Sequence, residues 1–194
     1  MGNSFAHAVF EMTNYRRSKT EGAYYFFTVV TYQRHPFLTD EFARTCLRNA
    51  WQRVGSQRPF DVIAMCILPD HLHCIWKLPA DDNLYSQRWS LIKKHFTRAY
   101  LNAGGREYAQ SCSRIAKRER GIWQRRFWEH RILDEHDLQR HVDYIHFNPV
   151  KHGLVGTVDD WPWSTYHKYV KSGYYARKDV SELQKEFEGI LAGE

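Results

Sequence analysis

One stretch of the sequence constrains the fold more than any other: PDHLHCIWKLP, at positions 69–79. Apolar side chains recur there at every second residue, which is the period of a β-strand that packs one face against a core. That face consists of Leu72, Cys74, Trp76 and Leu78. The opposite face carries His71, His73, Ile75 and Lys77. The pattern predicts a sheet with one buried face and one face that is left open for chemistry.

Three further strands are predicted around this one. The run from Tyr24 to Tyr32 is dense in aromatic and β-branched residues, which favour strands. A second run, from Phe60 to Leu68, joins the histidine-bearing strand through the short link Pro69-Asp70, which favours a hairpin. A fourth strand is expected within the segment from Trp123 to Leu133.

Helical spacing of apolar residues predicts a helix in each of the two long connections. The first helix follows Thr39, and the second is marked by Tyr85, Trp89, Ile92, Phe96 and Ala99. The resulting order, β-α-β-β-α-β, is that of an α+β, ferredoxin-like fold: one antiparallel sheet with helices on one face. A further helix starts after Asp134 and is expected to stop at Pro149, because proline disfavours helix at the preceding residue.

The ends of the chain differ from the centre, which suggests three parts. Residues 1–22 are expected to form a basic arm, residues 23–155 the main domain, and residues 156–194 a tail. The tail is predicted to end in an amphipathic helix that carries Leu183, Phe187, Ile190 and Leu191.

Composition excludes several classes of protein. The longest apolar run, Val62 to Leu68, is far shorter than the ~20 residues of a membrane helix, and no signal peptide is recognisable. The four cysteines form no CxxC pair, and there is no glycine-rich nucleotide-binding motif. We expect a cytoplasmic protein with free thiols and no membrane partner. Its 28 Lys and Arg against 22 Asp and Glu favour nucleic acid as a partner.

Two pairs of residues suggest chemistry. His71 and His73 lie two residues apart on one strand face, so their imidazoles can converge on a divalent metal, although such pairs also occur by chance in a chain with 11 histidines. Tyr144 and Asn148 lie one helical turn apart and offer a nucleophile and a hard oxygen ligand. The alternative is that Tyr144 packs at the edge of the core and that Asn148 ends the helix.

Basic residues mark possible contacts with DNA phosphates. The predicted contact residues are Arg16 and Arg17 in the arm, Lys93 and Lys94 on the second helix, and Arg125 and Arg126 before the fourth strand. Trp123, Phe127 and Trp128 lie among them and could stack on bases. The alternative is a solvated charged surface over ordinary core aromatics.

Five stretches together resemble the REP-associated tyrosine transposases, which belong to the HUH single-tyrosine nucleases. The stretches are YYFFTVVTYQRHPFL (24–38), ILPDHLHCIWKLP (67–79), WQRRFWEHRI (123–132), DYIHFNPVKHGLV (143–155) and DWPWSTYHKYV (160–170). The resemblance implies a ferredoxin-like catalytic domain that cleaves and rejoins single-stranded DNA at REP-type hairpins, with Mg²⁺ or Mn²⁺. It also implies a monomer that acts at the nucleoid.

Residue by residue, the resemblance implies that His71 and His73 form the HUH pair and that Tyr144 is the nucleophile. It implies that Asn148 completes the metal site, where relatives in insertion elements often have the longer Gln. Two other functions stay open on the sequence: a catalytically silent module that binds hairpins, and a replication initiator with the same chemistry. The absence of an RNA-recognition-motif signature weakens the first, and the absence of a second domain weakens the other.

Overall fold

A computed structural model describes residues 18–175 of the chain. Its sheet contains β1 (Tyr24–Val30), β2 (Asp61–Ile67), β3 (His71–Lys77) and β4 (Trp128–Arg131). The helices are α1 (Glu41–Gln57), α2 (Tyr85–Asn102), α3 (Cys112–Ala116), α4 (Glu135–Lys151) and α5 (Tyr166–Lys171). The predicted contacts of Arg16 and Arg17, and the amphipathic helix predicted after residue 180, lie outside the described residues.

The strand order confirms the ferredoxin-like prediction. The sheet runs β2-β3-β1-β4, and every neighbouring pair is antiparallel. The β2–β3 hairpin closes where the Leu68 amide donates to the His71 carbonyl at 2.8 Å. No helix within residues 18–175 is long and apolar enough to cross a membrane.

One face of the sheet packs on α1 and α2, as the alternation in β3 predicts. Leu72, Cys74, Trp76 and Leu78 all lie in this core, together with side chains from both helices. The exposed fraction of each of these four side chains is 2% or less. The two face assignments made for β3 from the sequence are therefore confirmed.

The expectation that the opposite face stays open is wrong. Helix α4 and residues that follow it cover this face, and a second core forms around Phe26, Ile75 and Ile145. Trp161 and Tyr166, from the segment after α4, belong to the same core. The physical reason is that β1 and β3 carry large apolar side chains on this face too, and burying them stabilises the fold. The predicted histidine face is thus the floor of a closed site.

Helix α4 does not stop at Pro149, as the sequence had suggested, but continues to Lys151. A proline removes one hydrogen bond and crowds the carbonyl four residues earlier, but a helix can continue past it for a short distance. The end is set instead by Gly153, whose φ of 66° is the left-handed conformation that glycine adopts readily. The Gly153 amide donates to the Val150 carbonyl at 2.9 Å, and the Leu154 amide donates to the Pro149 carbonyl at 2.9 Å. This cap places Lys151 on the final turn of the helix.

Candidate active site

The two histidines of β3 lie side by side beneath α4. Their ring centroids are 4.8 Å apart, and both side chains are buried. Nδ1 of His73 lies 3.0 Å from the Thr28 hydroxyl on β1, and Nδ1 of His71 lies 2.6 Å from a carboxylate oxygen of Asp70. A metal ion on Nε2 requires the proton on Nδ1, and both neighbours can accept a hydrogen bond from that Nδ1–H group. Partners of this kind orient metal-binding histidines.

Asp70 is in turn held by a residue from the segment that follows β1. The Arg34 guanidinium donates to its second carboxylate oxygen at 3.0 Å. Burial alone would raise the pKa of Asp70, but the hydrogen bond and charge of His71, with those of Arg34, lower it to about 2. Gln33 and Arg34 adopt φ values of 52° and 56°, a conformation that costs energy for residues with a side chain. Such strain is common at functional sites.

Burial also decides the charge of His73. Removal from water, with the nearby charges of His71 and Lys151, holds the pKa of His73 well below its usual range. The imidazole is therefore neutral at physiological pH. A neutral imidazole is the form that binds metal ions.

Tyr144 projects from α4 onto the same floor. Its exposed fraction is 2%, and its ring centroid lies 5.3 Å from that of His73 and 5.9 Å from that of Phe26. The Lys151 ammonium donates a hydrogen bond to the phenol oxygen at 3.2 Å. The sequence suggested Tyr144 but gave no sign of Lys151, because the helix was expected to stop at Pro149, before it reaches Lys151.

Asn148 lies one turn after Tyr144 and is fully buried. Tyr144 precedes it in the chain, and the Tyr144 ring contacts the ring of His73. His152 follows it, and the centroid of the His152 ring lies 5.2 Å from that of His71. Asn148 therefore lies on the turn of α4 between these two contacts. Among residues 18–175, neither atom of its side-chain amide has a hydrogen-bonding partner.

An unpartnered buried amide is costly, so its presence suggests a ligand. Two imidazole nitrogens and one amide oxygen form a donor set that suits Mn²⁺ and leaves coordination positions for substrate oxygens. The residues present therefore fit a divalent cation.

A second group of possible metal ligands lies beside this site and was missed from the sequence. It consists of His130 on β4 with Asp137 and His141 on α4, whose ligand atoms lie within 4.8 Å of one another. These atoms already bond to each other: Asp137 lies 2.8 Å from Nε2 of His130 and 2.9 Å from Nδ1 of His141. Only the helical spacing of Asp137 and His141 could have been noticed in advance.

The predicted phosphate contacts lie in different environments. Lys93 is half-buried and donates to the Gln124 carbonyl at 2.9 Å, whereas Lys94 and Arg126 are exposed. Arg125 pairs with Glu119 at 2.7 Å. Trp123 is buried in the core, so the structure does not support its proposed role as a stacking surface.

A groove of about 540 Å³ runs between α2 and the segment before β4. Its cationic side chains are Lys93, Lys94, Arg98, Arg114, Arg118, Arg120 and Arg125. The only carboxylate among the residues that line it is Glu119. This excess of positive charge makes the groove a candidate path for a phosphate backbone.

Comparison with known proteins agrees with this geometry. The family model "Transposase IS200 like" matches residues 19–148. The chain is 44% identical to the REP-associated tyrosine transposase of Escherichia coli K12, over 84% of this chain and 88% of that protein. The chain belongs to the REP-associated tyrosine transposases. The matched residues 19–148 span all four strands, both β3 histidines, Tyr144 and Asn148.

A second sequence relative and a solved structure are also similar to this tyrosine transposase. A Haemophilus influenzae protein, named provisionally for the same family, is 46% identical over 84% of this chain and 91% of its own length. A solved structure of a REP-associated tyrosine transposase bound to a REP hairpin superposes with a TM-score of 0.69 and is 43% identical. That match covers 84% of this chain and 87% of the solved one.

Proposed function

We propose that this transposase cleaves and rejoins single-stranded DNA at REP-type hairpins, with Tyr144 as the nucleophile. The observation that supports this best is the placement of a buried phenol against a histidine pair and an unpartnered amide on a single chain. A relative at 43% identity has been solved bound to a REP hairpin, which supports the same substrate here.

The proposed reaction is a reversible exchange of phosphodiester bonds. The Tyr144 oxygen bonds to phosphorus, the P–O3′ bond breaks, and a 5′-phosphotyrosine and a free 3′-OH result. The phenol gives up one proton and the departing oxygen takes up one, so nothing is oxidised or reduced. Attack by another 3′-OH reverses these steps and joins strands without ATP. Reversibility of this kind suits strand transfer better than degradation.

We assign the divalent cation to His71, His73 and Asn148. When bound, a cation there supplies charge that offsets the negative oxygens of the scissile phosphate. Asp70 and Thr28 hold the two imidazoles in place for this role. In the neighbouring group, Asp137 already bonds to His130 and to His141. We assign these bonds the role of joining β4 to α4.

Neither histidine near Tyr144 in sequence is well placed as its general base. The two nitrogens of His146 lie 2.6 Å from the Tyr175 hydroxyl and 2.7 Å from the Thr165 hydroxyl. Burial, together with the charge of His167, lowers the pKa of His146 to about 3. Nδ1 of His141 is held by Asp137. Both are better explained as structural residues.

Tyr144→Phe tests the proposal, because it removes one oxygen and keeps the ring. Wild type with a hairpin-bearing strand and Mn²⁺ should yield a protein–DNA adduct that survives denaturing electrophoresis. The variant should bind the strand equally well and yield no adduct. Tyr32→Phe, which changes a tyrosine two residues after β1, is the matched control and should form the adduct normally. Binding without any adduct from wild type would favour a catalytically silent hairpin-binding module.

Calorimetric titration with Mn²⁺ distinguishes the two possible metal centres. His71→Ala/His73→Ala should abolish binding, while His130→Ala/His141→Ala should retain it. The reverse result would move the metal to the second group. Binding that neither double variant affects would contradict both assignments.

A further inference from the structure

The last turn of α4 brings a cation onto the proposed nucleophile. Nζ of Lys151 donates to the phenol oxygen of Tyr144 at 3.2 Å and lies 4.8 Å from the centroid of its ring. Two turns of one helix separate these residues, so the backbone of α4 holds the pair in register. The contact exists because α4 continues past Pro149.

Charge on the phenol oxygen changes during the proposed reaction. The oxygen is most nucleophilic as a phenolate, and it carries negative charge again when a 3′-OH displaces it from phosphorus. A donor that is itself positively charged stabilises such an oxygen more strongly than a neutral donor. The stabilisation is larger where water is excluded, and Tyr144 is 2% exposed.

We propose that Lys151 holds the Tyr144 oxygen in position and stabilises the charge on it in both cleavage and rejoining. This inference rests on the proposed function, because it gives Lys151 no role apart from Tyr144. A cationic neighbour of the phenol oxygen stabilises charge on it without acting as a general base. Because cleavage and its reversal pass through the same transition state, loss of Lys151 should slow both.

Three variants test this role against simpler ones. Lys151→Met removes the charge and donor but keeps a long side chain, and Lys151→Arg restores both. Lys171→Met changes another exposed lysine, at the end of α5, and is the matched control. Single-turnover rates of adduct formation, and rates of adduct resolution by a strand with a 3′-OH, should both fall about 10- to 100-fold in Lys151→Met. Arg should recover most of this loss, and the control should match wild type.

Hairpin affinity separates this role from phosphate binding. The dissociation constant of Lys151→Met should stay within about twofold of wild type. Unchanged rates in Lys151→Met would overturn the inference while leaving the proposed function intact. A weakened affinity with unchanged single-turnover rates would make Lys151 a phosphate contact and also overturn it. If wild type itself forms no adduct, the proposed function fails instead.

A measurement on the free protein needs neither metal nor DNA. With tyrosines labelled by ¹³C at Cζ, the Tyr144 signal is identified by its loss in Tyr144→Phe. It should shift in Lys151→Met, because the ring carbon bearing the oxygen senses the lost hydrogen bond, and it should not shift in Lys171→Met. An unmoved signal would show that the contact does not exist in solution, which overturns the inference.

Discussion

At the scale of single residues, Asn148 carries the most information about function. A fully buried amide with no hydrogen-bonding partner among residues 18–175 destabilises the folded protein. The same two polar atoms would have been satisfied at an ordinary structural position. The two atoms lie on α4 between the residues that contact His71 and His73. A ligand-binding role explains this placement, and a purely structural role does not.

Asn148→Leu should therefore stabilise the metal-free protein and prevent stabilisation by metal. Leu has the same number of side-chain heavy atoms and no unsatisfied group, so the free energy of unfolding should rise by about 1–2 kcal/mol. Wild type should gain about 2.7 kcal/mol from Mn²⁺ at 100 times its dissociation constant. Urea unfolding with and without Mn²⁺ measures both. A variant that is less stable without metal, or gains as much from Mn²⁺ as wild type, would contradict the assignment.

Residues differ in how far the sequence alone could predict them. The alternation in β3 correctly predicts that His71 and His73 share a face, because strand geometry follows directly from a period of two. Lys151 escapes prediction because its contact with Tyr144 requires the helix to pass a proline. The role of Asp70 could not be predicted for another reason. In the sequence Pro69-Asp70 is typical of a turn, and only the fold reveals the bond between Asp70 and His71.

At the scale of elements, α4 is the helix that builds the site, and the segment after it holds α4 in place. His146 on α4 bonds to Thr165 and Tyr175, and the Tyr175 hydroxyl also donates to Asp143 at 3.0 Å. The element order was predictable because each strand and helix has its own periodicity. The cover over the second face was not, because His71, His73 and Lys77 lie on that face of β3 and favoured an open surface.

The His146 contacts should make stability depend on pH. The folded-state pKa of about 3 lies below the ordinary value, so below pH 6.5 the unfolded chain binds a proton that the folded protein does not. This contribution to stability is complete above pH 6.5 and is lost as pH falls towards 3, at about 1.4 kcal/mol per pH unit. Urea unfolding at pH 7, 6, 5 and 4 measures the slope.

Two histidine variants make that measurement specific. His146→Gln should flatten the dependence without abolishing it, because burial also lowers the pKa values of His73 and His141. His136→Gln, at an exposed position of the same helix, should leave the slope unchanged. An unchanged slope in His146→Gln would show that this histidine is protonated in the folded protein.

At the scale of the whole molecule, the chain covers one edge of its own sheet. The Ile67 amide donates to the Trp163 carbonyl at 2.9 Å, and the Thr165 amide donates to the Met65 carbonyl at 2.8 Å. The edge strand β2 is thus occupied, and the other edge, β4, has only four residues. Exposed edges are where sheets extend into a partner, so little edge remains for that kind of dimer.

We therefore expect a monomer in which Tyr144 serves the histidines of its own chain. The contact between the Tyr144 and His73 rings within one chain is consistent with this. Light scattering of the free protein should give a mass near 23.2 kDa at micromolar concentrations. A stable species of twice that mass would contradict the expectation and would raise the question of whether α4 is exchanged between copies.

The groove beside α2 should determine how hairpin binding responds to salt. Each phosphate contact on a single strand contributes about 0.7 to the slope of log affinity against log salt. The triple variant Lys94→Gln/Arg98→Gln/Arg125→Gln should therefore lower the magnitude of that slope by about 2. The control Arg48→Gln/Lys168→Gln/Lys171→Gln removes the same charge from exposed positions outside the groove and should keep the wild-type slope. Equal slopes in the two triple variants would show that long-range charge, and not the groove, drives binding.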